Sequence, residues 1–196
     1  MNKKWIILGI VVVLIIIAYS SLKGSYNSMV ALDEQVKAQW SQVENVYQRR
    51  ADLIPNLVST VKGYAEFEKG TLTQVIEARA KATAVNIDAS NLNEQSLKQF
   101  QASQGQLTQA LSRLMVVVEQ YPNLKANQNF LDLQAQLEGT ENRISTERRT
   151  YNEVVQNYNT NIRSFPKNLF ASMFGFTPRP NFTADAGASK APDVKF

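Results

Sequence analysis

The chain contains 196 residues, with 21 basic and 17 acidic side chains and neither cysteine nor histidine. This length suits one domain with an additional segment. The missing cysteine excludes disulfides, thiolate catalysis and metal sites built on cysteine. The missing histidine excludes a Ser-His-Asp triad and imidazole metal ligands. We therefore expect a protein that is not an enzyme and that uses no cofactor or metal ion.

The basic residues are spread along the chain rather than gathered in one region. Lys3 and Lys4 lie at the N-terminus, and the other basic residues are interspersed with acidic ones. Nucleic-acid binding needs a concentrated basic face. The sequence therefore predicts no nucleic-acid partner.

The N-terminal segment has the composition of a membrane-spanning helix. Residues 5–22 contain no charged side chain, and a helix crosses a bilayer with roughly 17–25 apolar residues. Trp5 and Tyr19 fall where amphipathic aromatic side chains collect at the two membrane interfaces. These features predict a transmembrane anchor over residues 1–24, with residues 5–22 in the lipid bilayer. The alternative is a cleaved signal peptide that ends at Ala18-Tyr19-Ser20.

The charges that flank the anchor predict its orientation. Lys3, Lys4 and the amino terminus lie on one side, and mixed charges that begin at Lys23 lie on the other. Positive residues favour the cytoplasmic side. We expect the N-terminus in the cytoplasm and the larger domain on the outer side.

Beyond the anchor, apolar residues recur with the spacing of amphipathic helices. Gly24-Ser25 interrupts the first run, and Pro55 disfavours helical geometry at the residue before it. No segment shows the alternation of a strand. The predicted helices cover about residues 27–52, 56–84, 94–121 and 125–163. The sequence thus predicts an all-α fold, an N-terminal transmembrane helix followed by an antiparallel up-down four-helix bundle.

This topology predicts where the connections lie. The turns at 52–56 and 121–124 fall at the end far from the membrane, roughly 40 Å away. The connection at 85–93 and the segment after Phe165 fall near the membrane. The bundle domain covers residues 25–182, and residues 183–196, poor in apolar side chains, form a predicted disordered tail.

Several runs of residues occur in a characteristic order along the chain. They are residues 26–30, 40–58, 61–64, 78–80, 121–126, 138–144, 151–152, 165–166 and 174–176. In these runs the chain resembles the LemA family, over about residues 1–182. The family implies bacterial proteins with one N-terminal membrane segment and a helical bundle, and no catalytic residue can be carried over. With the predicted orientation, we expect a single-pass protein of the bacterial inner membrane whose bundle is periplasmic.

Two predicted turns place similar Pro-Asn-Leu sequences at the far end of the bundle. They project polar groups and a tyrosine, as a partner-binding surface would. The alternative is that these residues cap helix ends and form an ion pair. The members of this predicted distal cap are Arg49, Arg50, Asp52, Pro55, Asn56, Tyr121, Pro122 and Asn123.

Glu141 and Arg148 interrupt the apolar stripe of the last helix, which runs through Leu137, Ile144 and Tyr151. Buried polar residues lower stability unless they are paired, and they can fix the register of a bundle. Carboxylate-bridged metal bundles need Glu-x-x-His pairs, which a chain without histidine lacks. The sequence predicts that these two residues are buried and set the register, with Gln42, Asn45 and Arg49 of the first helix as possible partners.

The segment after the last helix is rich in phenylalanine. These aromatic side chains cap the open end of the bundle core, or alternatively form an interfacial foot in the lipid headgroups. The predicted membrane-proximal aromatics are Phe165, Phe170, Phe174 and Phe176.

These features together predict a scaffold or interaction protein of the bacterial envelope, without catalysis. Its partner would be an unidentified envelope protein. Apolar residues off the main stripes would support a homo-oligomer; they are Val46, Val85, Val116 and Val117. The alternative function is binding or remodelling of lipid through the phenylalanine-rich segment.

Overall fold

The computed structural model describes residues 3–63 and 68–183. All regular structure in these ranges is helical, which confirms the predicted all-α class with an apolar N-terminal helix and a helical bundle. Apart from Thr183, the predicted tail lies outside the described residues. The helices are α1 (Lys3–Lys62), α2 (Lys69–Ala84), a 3-10 turn (Ala89–Asn91), α3 (Glu94–Val118), α4 (Pro122–Lys125), α5 (Gln128–Arg163) and α6 (Asn168–Ala171).

Helix α1 is continuous over 60 residues, so both predicted interruptions are wrong. A glycine such as Gly24 costs a helix only about 1 kcal/mol relative to alanine. The apolar segment before it and the packed segment after it both favour helix. The apolar N-terminal segment therefore continues into the bundle without a linker.

Pro55 lies inside α1 because another residue replaces its missing donor. Proline has no N–H, so the Ala51 carbonyl four residues earlier loses its helical partner. Arg79 on α2 donates from Nε to this carbonyl oxygen at 2.8 Å. Ala51 is buried, where an unsatisfied carbonyl would be costly. This long-range hydrogen bond lets α1 continue to Lys62.

The predicted second helix is accordingly shorter than expected. Helix α2 begins at Lys69 rather than near Pro55, and the far connection is 63–68, of which 64–67 lie outside the described residues. The 85–93 connection lies beside Trp40, whose Nε1 donates to the Ile87 oxygen at 3.3 Å. Trp40 is about 27 Å along α1 from Leu22. The prediction that this connection lies near the membrane is therefore wrong.

The bundle consists of a long helix pair, α1 with α5, and a shorter pair, α2 with α3. Two apolar cores are stacked along its axis. The distal core includes Ile54 and Leu57 of α1, and the membrane-proximal core includes Trp40 and Met29. Residues 177–183 run without regular structure beside α1 and α5, and Phe182 joins the membrane-proximal core.

The N-terminal part of α1 packs against nothing in the bundle. Its large apolar side chains between Trp5 and Ile17 are exposed. Among the described residues, α1 is the one helix long and apolar enough to cross a membrane. A helix closes its own backbone hydrogen bonds and so is suited to lipid. These features support membrane anchoring through this helix.

We predict that Arg79→Met lowers the free energy of unfolding by about 1–3 kcal/mol, because it leaves the buried Ala51 carbonyl unsatisfied. The loss shrinks in a Pro55→Ala background, where the N–H of residue 55 can donate to that carbonyl. Denaturant unfolding of the full chain in detergent, followed by circular dichroism, measures this double-mutant cycle. Lys81→Met, on an exposed position of α2, is the matched control. An equal loss in both backgrounds would contradict the explanation.

Candidate functional site

The eight residues of the predicted distal cap do not form one surface. Arg50 is buried at mid-height of the bundle, whereas its neighbour Arg49 is exposed. Asp52 caps no helix and accepts a 2.7 Å hydrogen bond from Gln48 Nε2. The remaining α1 members, Pro55 and Asn56, are exposed in the last turns of α1, because the chain does not turn there.

Tyr121, Pro122 and Asn123 do lie at the distal end, where α3 passes into α5. Pro122 is the first residue of α4, a position where the missing N–H has no helical partner to lose. Leu124 is buried in the distal core and anchors this turn. Pro122 and Asn123 are exposed. The distal surface is therefore smaller than predicted.

A polar layer centred on Arg50 separates the two apolar cores. The Arg50 side chain is only 3% exposed, and its Nη1 lies 2.8 Å from Glu141 Oε2. Nη1 also donates to Thr108 Oγ1 at 3.0 Å, and Nη2 donates to Gln104 Oε1 at 2.7 Å. The guanidinium carbon lies 5.1 Å from the centre of the Tyr47 ring. These contacts join α1, α3 and α5 at one level.

The prediction that Glu141 and Arg148 are buried is therefore wrong. Glu141 is half-exposed, and Arg148 donates to the Thr183 oxygen. The buried face of α5 continues instead through Thr140 and Ile144, which turns residues 141 and 148 toward its flank. The buried cation is Arg50.

Sequence reasoning could have found Arg50. It continues the apolar stripe of α1 with the same spacing of three and four residues. The stripe comprises Val43, Tyr47, Arg50, Ile54, Leu57 and Val61, all buried. Because the first helix was expected to end before Pro55, the stripe was not followed through Arg50 to the later residues.

The phenylalanine-rich segment divides into buried and exposed parts. Residues 164–176 form a foot beside α1. In this foot, Phe174 and Phe176 pack edge-on against Tyr26, with ring centres 5.1 and 5.8 Å apart. Phe170 is partly buried, and Phe165 is 81% exposed. Tyr26 lies about 6 Å along α1 from Leu22, so the foot adjoins the apolar segment.

Lys167 of the foot forms hydrogen bonds with both long helices. Its Nζ donates to Asn161 Oδ1 of α5 at 3.0 Å and to Ser28 Oγ of α1 at 3.3 Å. Its ammonium group is held at the level where α1 leaves the apolar segment. The foot is therefore bonded to both long helices.

The four valines expected to support self-association do not form one exposed surface. Val46 and Val85 pack against the membrane-proximal core, and Val117 packs against the distal core. Val116 is the exposed member. In the described residues, no three histidine, cysteine, aspartate or glutamate side chains are grouped to hold a metal ion.

We predict that Glu141→Leu lowers the free energy of unfolding by about 1–3 kcal/mol, because a buried guanidinium loses its carboxylate. Combining it with Arg50→Met restores part of the loss, since both charges are then absent. Thermal unfolding of the full chain measures both effects. Glu138→Leu, an exposed position on the same helix, is the control. A loss no larger than that of the control would contradict the importance of this layer.

Comparison with known proteins supports the assignment from the sequence. The LemA family model matches residues 39–196. Magnetosome protein MamQ 2 of Paramagnetospirillum magneticum is 29% identical over 187 residues, covering 86% of this chain and 69% of that protein. Protein LemA of Metamycoplasma hominis is 26% identical over 155 residues, covering 79% of this chain and 67% of that protein. Neither relative is named as an enzyme. Because the family model matches most of its length, this chain belongs to the LemA family.

Proposed function

We propose that this protein is a non-catalytic scaffold of the bacterial envelope, which holds a protein-binding surface at a fixed distance from the membrane. The observation that carries the proposal is the continuity of α1. Its apolar segment and its bundle segment are one helix from Lys3 to Lys62. Motion of the bundle relative to the bilayer is restricted, because no linker separates them.

The distal end is the surface proposed for a partner. Lys62 lies about 60 Å along α1 from Leu22. The end combines the exposed α4 turn with polar residues that flank it, among them Glu119, which forms an ion pair with Lys125 of α4. Such an end is suited to a polar protein surface rather than to lipid. The flanking charges favour an N-terminus in the cytoplasm and a bundle on the outer side.

We predict that a photo-crosslinking residue at Asn123 captures a defined envelope protein in living cells. The same residue at Ser145, exposed at mid-height on α5, is the control and should capture it much less, because this position is away from the distal end. Mass spectrometry of the crosslinked products identifies the partner. Equal capture at both positions, or none at Asn123, would contradict a distal binding surface.

A second candidate function, contact with lipid headgroups, is supported by exposed apolar residues of the foot. Phe165, Leu169 and Met173 are 81%, 60% and 70% exposed. They are spaced four residues apart beside the end of the membrane segment. Large exposed apolar side chains at this level are suited to the bilayer interface. This contact would steady the bundle on the membrane, and it is compatible with the scaffold role.

We predict that a photo-crosslinking residue at Leu169 captures phospholipid when the full chain is in a bilayer. The same residue at Val116, an equally apolar exposed position on α3, should capture none, because that position lies away from the foot. Thin-layer chromatography of the crosslinked lipid checks the result. Equal labelling at the two positions would contradict an interfacial foot.

A further inference from the structure

Residues 177–183, here called the strap, occupy a groove formed mainly by α1 and α5. We propose that this groove is a recognition site for extended peptides. The strap is its intramolecular occupant, and the intermolecular ligand is a segment of a partner protein that carries arginine and, three residues later, an aromatic residue. The site lies apart from the distal end of the bundle.

The groove binds the main chain of the strap through two asparagine side chains of α5. Asn159 accepts from the backbone N–H of Arg179 at 2.9 Å and donates to the carbonyl of the same residue at 2.8 Å. Asn152 makes the same two bonds with Phe182, at 2.8 and 3.0 Å. Each carboxamide thus satisfies both backbone groups of one residue, as a neighbouring strand would.

The spacing of the two asparagines matches an extended peptide. Seven residues along a helix rise about 10.5 Å, and three residues of extended chain cover about 10 Å. Asn152 and Asn159 are seven residues apart, while Phe182 and Arg179 are three apart. The helix therefore presents carboxamides at the repeat that an extended backbone needs.

Two tyrosines add further bonds to the main chain of the strap. Tyr158 donates from its hydroxyl to the Thr177 oxygen at 3.0 Å, and Tyr151 donates to the Pro180 oxygen at 3.2 Å. Burial raises the pKa of both hydroxyls, so they stay protonated and able to donate. These bonds involve carbonyl groups and do not depend on the strap's side chains.

Side-chain selectivity on one side of the groove comes from Asp33. Arg179 donates to Asp33 Oδ1 from Nη2 at 2.9 Å and from Nε at 3.3 Å, and to the Ser90 oxygen from Nη1 at 3.0 Å. Burial tends to raise the pKa of Asp33, but hydrogen bonds from Arg179 and Lys37 outweigh it and hold that pKa below its usual value. The carboxylate is thus charged at neutral pH and selects arginine.

An aromatic pocket selects the second side chain. Phe182 is only 6% exposed. Its ring stacks on Trp40 at 6.0 Å and meets the edge of Tyr151 at 5.3 Å. The Arg148 guanidinium lies 5.0 Å above the ring. Aromatic and cation–π contacts of this kind favour an aromatic residue over an aliphatic one.

This arrangement combines the two requirements of extended-peptide recognition. Main-chain hydrogen bonds provide affinity, and pockets for separated side chains provide specificity. The side chains of Thr177, Pro178, Asn181 and Thr183 are exposed, and Pro180 is half-buried. Arg179 and Phe182 are therefore the side chains that the groove recognises by charge and by aromatic contact. The binding determinants are the groove's own residues, and they are independent of the covalent link to the strap.

The test uses the full chain in detergent with Trp5→Phe, which leaves Trp40 as the one tryptophan. Arg179→Ala with Phe182→Ala weakens the strap. A synthetic peptide of sequence Thr-Pro-Arg-Pro-Asn-Phe-Thr is then titrated while Trp40 fluorescence is recorded. We expect a saturable change, because the peptide phenylalanine would stack on Trp40. Peptides with alanine at the arginine or the phenylalanine should bind at least about tenfold more weakly, since each loses one recognised side chain.

Variants of the two groove asparagines test whether main-chain hydrogen bonds contribute to peptide binding. Asn152→Ala with Asn159→Ala, in the same background, should also weaken peptide binding at least about tenfold. Circular dichroism checks that each variant is folded, and Phe182→Ala alone replaces the double variant if helix content is lost. Short tethers commonly give an effective concentration of about 1 mM. If Trp40 fluorescence shows no saturable change up to about 1 mM peptide, the proposal is overturned.

The alternative ligand is the strap of a second copy of this chain, and mixing two differently tagged copies of the full chain tests for it. Mixed dimers that disappear on adding the peptide would overturn the assignment to a partner protein, because a second copy's strap would then be the ligand. Monomers that bind the peptide support the assignment. Peptide binding is measured with purified protein, whereas crosslinking at the distal end is measured in cells. Failure of one experiment is therefore distinguishable from failure of the other.

Discussion

The hydrogen bond from Arg79 to the Ala51 carbonyl allows α1 to pass Pro55 without ending. A helix that ended there would place its far turn about two helical turns lower and would shorten the distal core. Because α1 also continues through Gly24 and Ser25, the apolar segment and the first helix of the bundle share one axis. The height of each element packed on α1 follows from these two continuous stretches.

The bundle has two halves that are completed in different ways. In the distal half, α1, α2, α3 and α5 bury one another's apolar faces. In the membrane-proximal half, α2 is too short to complete the core, and the foot and the strap contribute to it. The Arg50 layer lies between the halves and joins three helices. This division places potential binding surfaces at separate heights: the distal end, the strap groove and the foot.

Individual residues show how far the sequence could predict the fold and the sites. The apolar run at residues 5–22 and the helical spacing of apolar residues were enough for the helical class and the membrane segment. The helix boundary at Pro55 was wrong, because the donor that compensates for this proline, Arg79, lies 28 residues after the Ala51 carbonyl that it binds. Glu141 was rightly noticed as a polar break, but its partner Arg50, 91 residues distant, was placed in another site.

The sequence by itself determined the composition of the protein and its local structure. It excluded cysteine and histidine chemistry and specified helices, since helical periodicity reflects contacts among residues three or four positions apart. Only the tertiary structure decided which polar residues are buried and that residues 177–183 have a groove. Those features depend on pairs such as Asp33 and Arg179, 146 residues apart in the chain. Such contacts leave no periodic signal in a single sequence, because either residue alone is equally suited to an exposed surface.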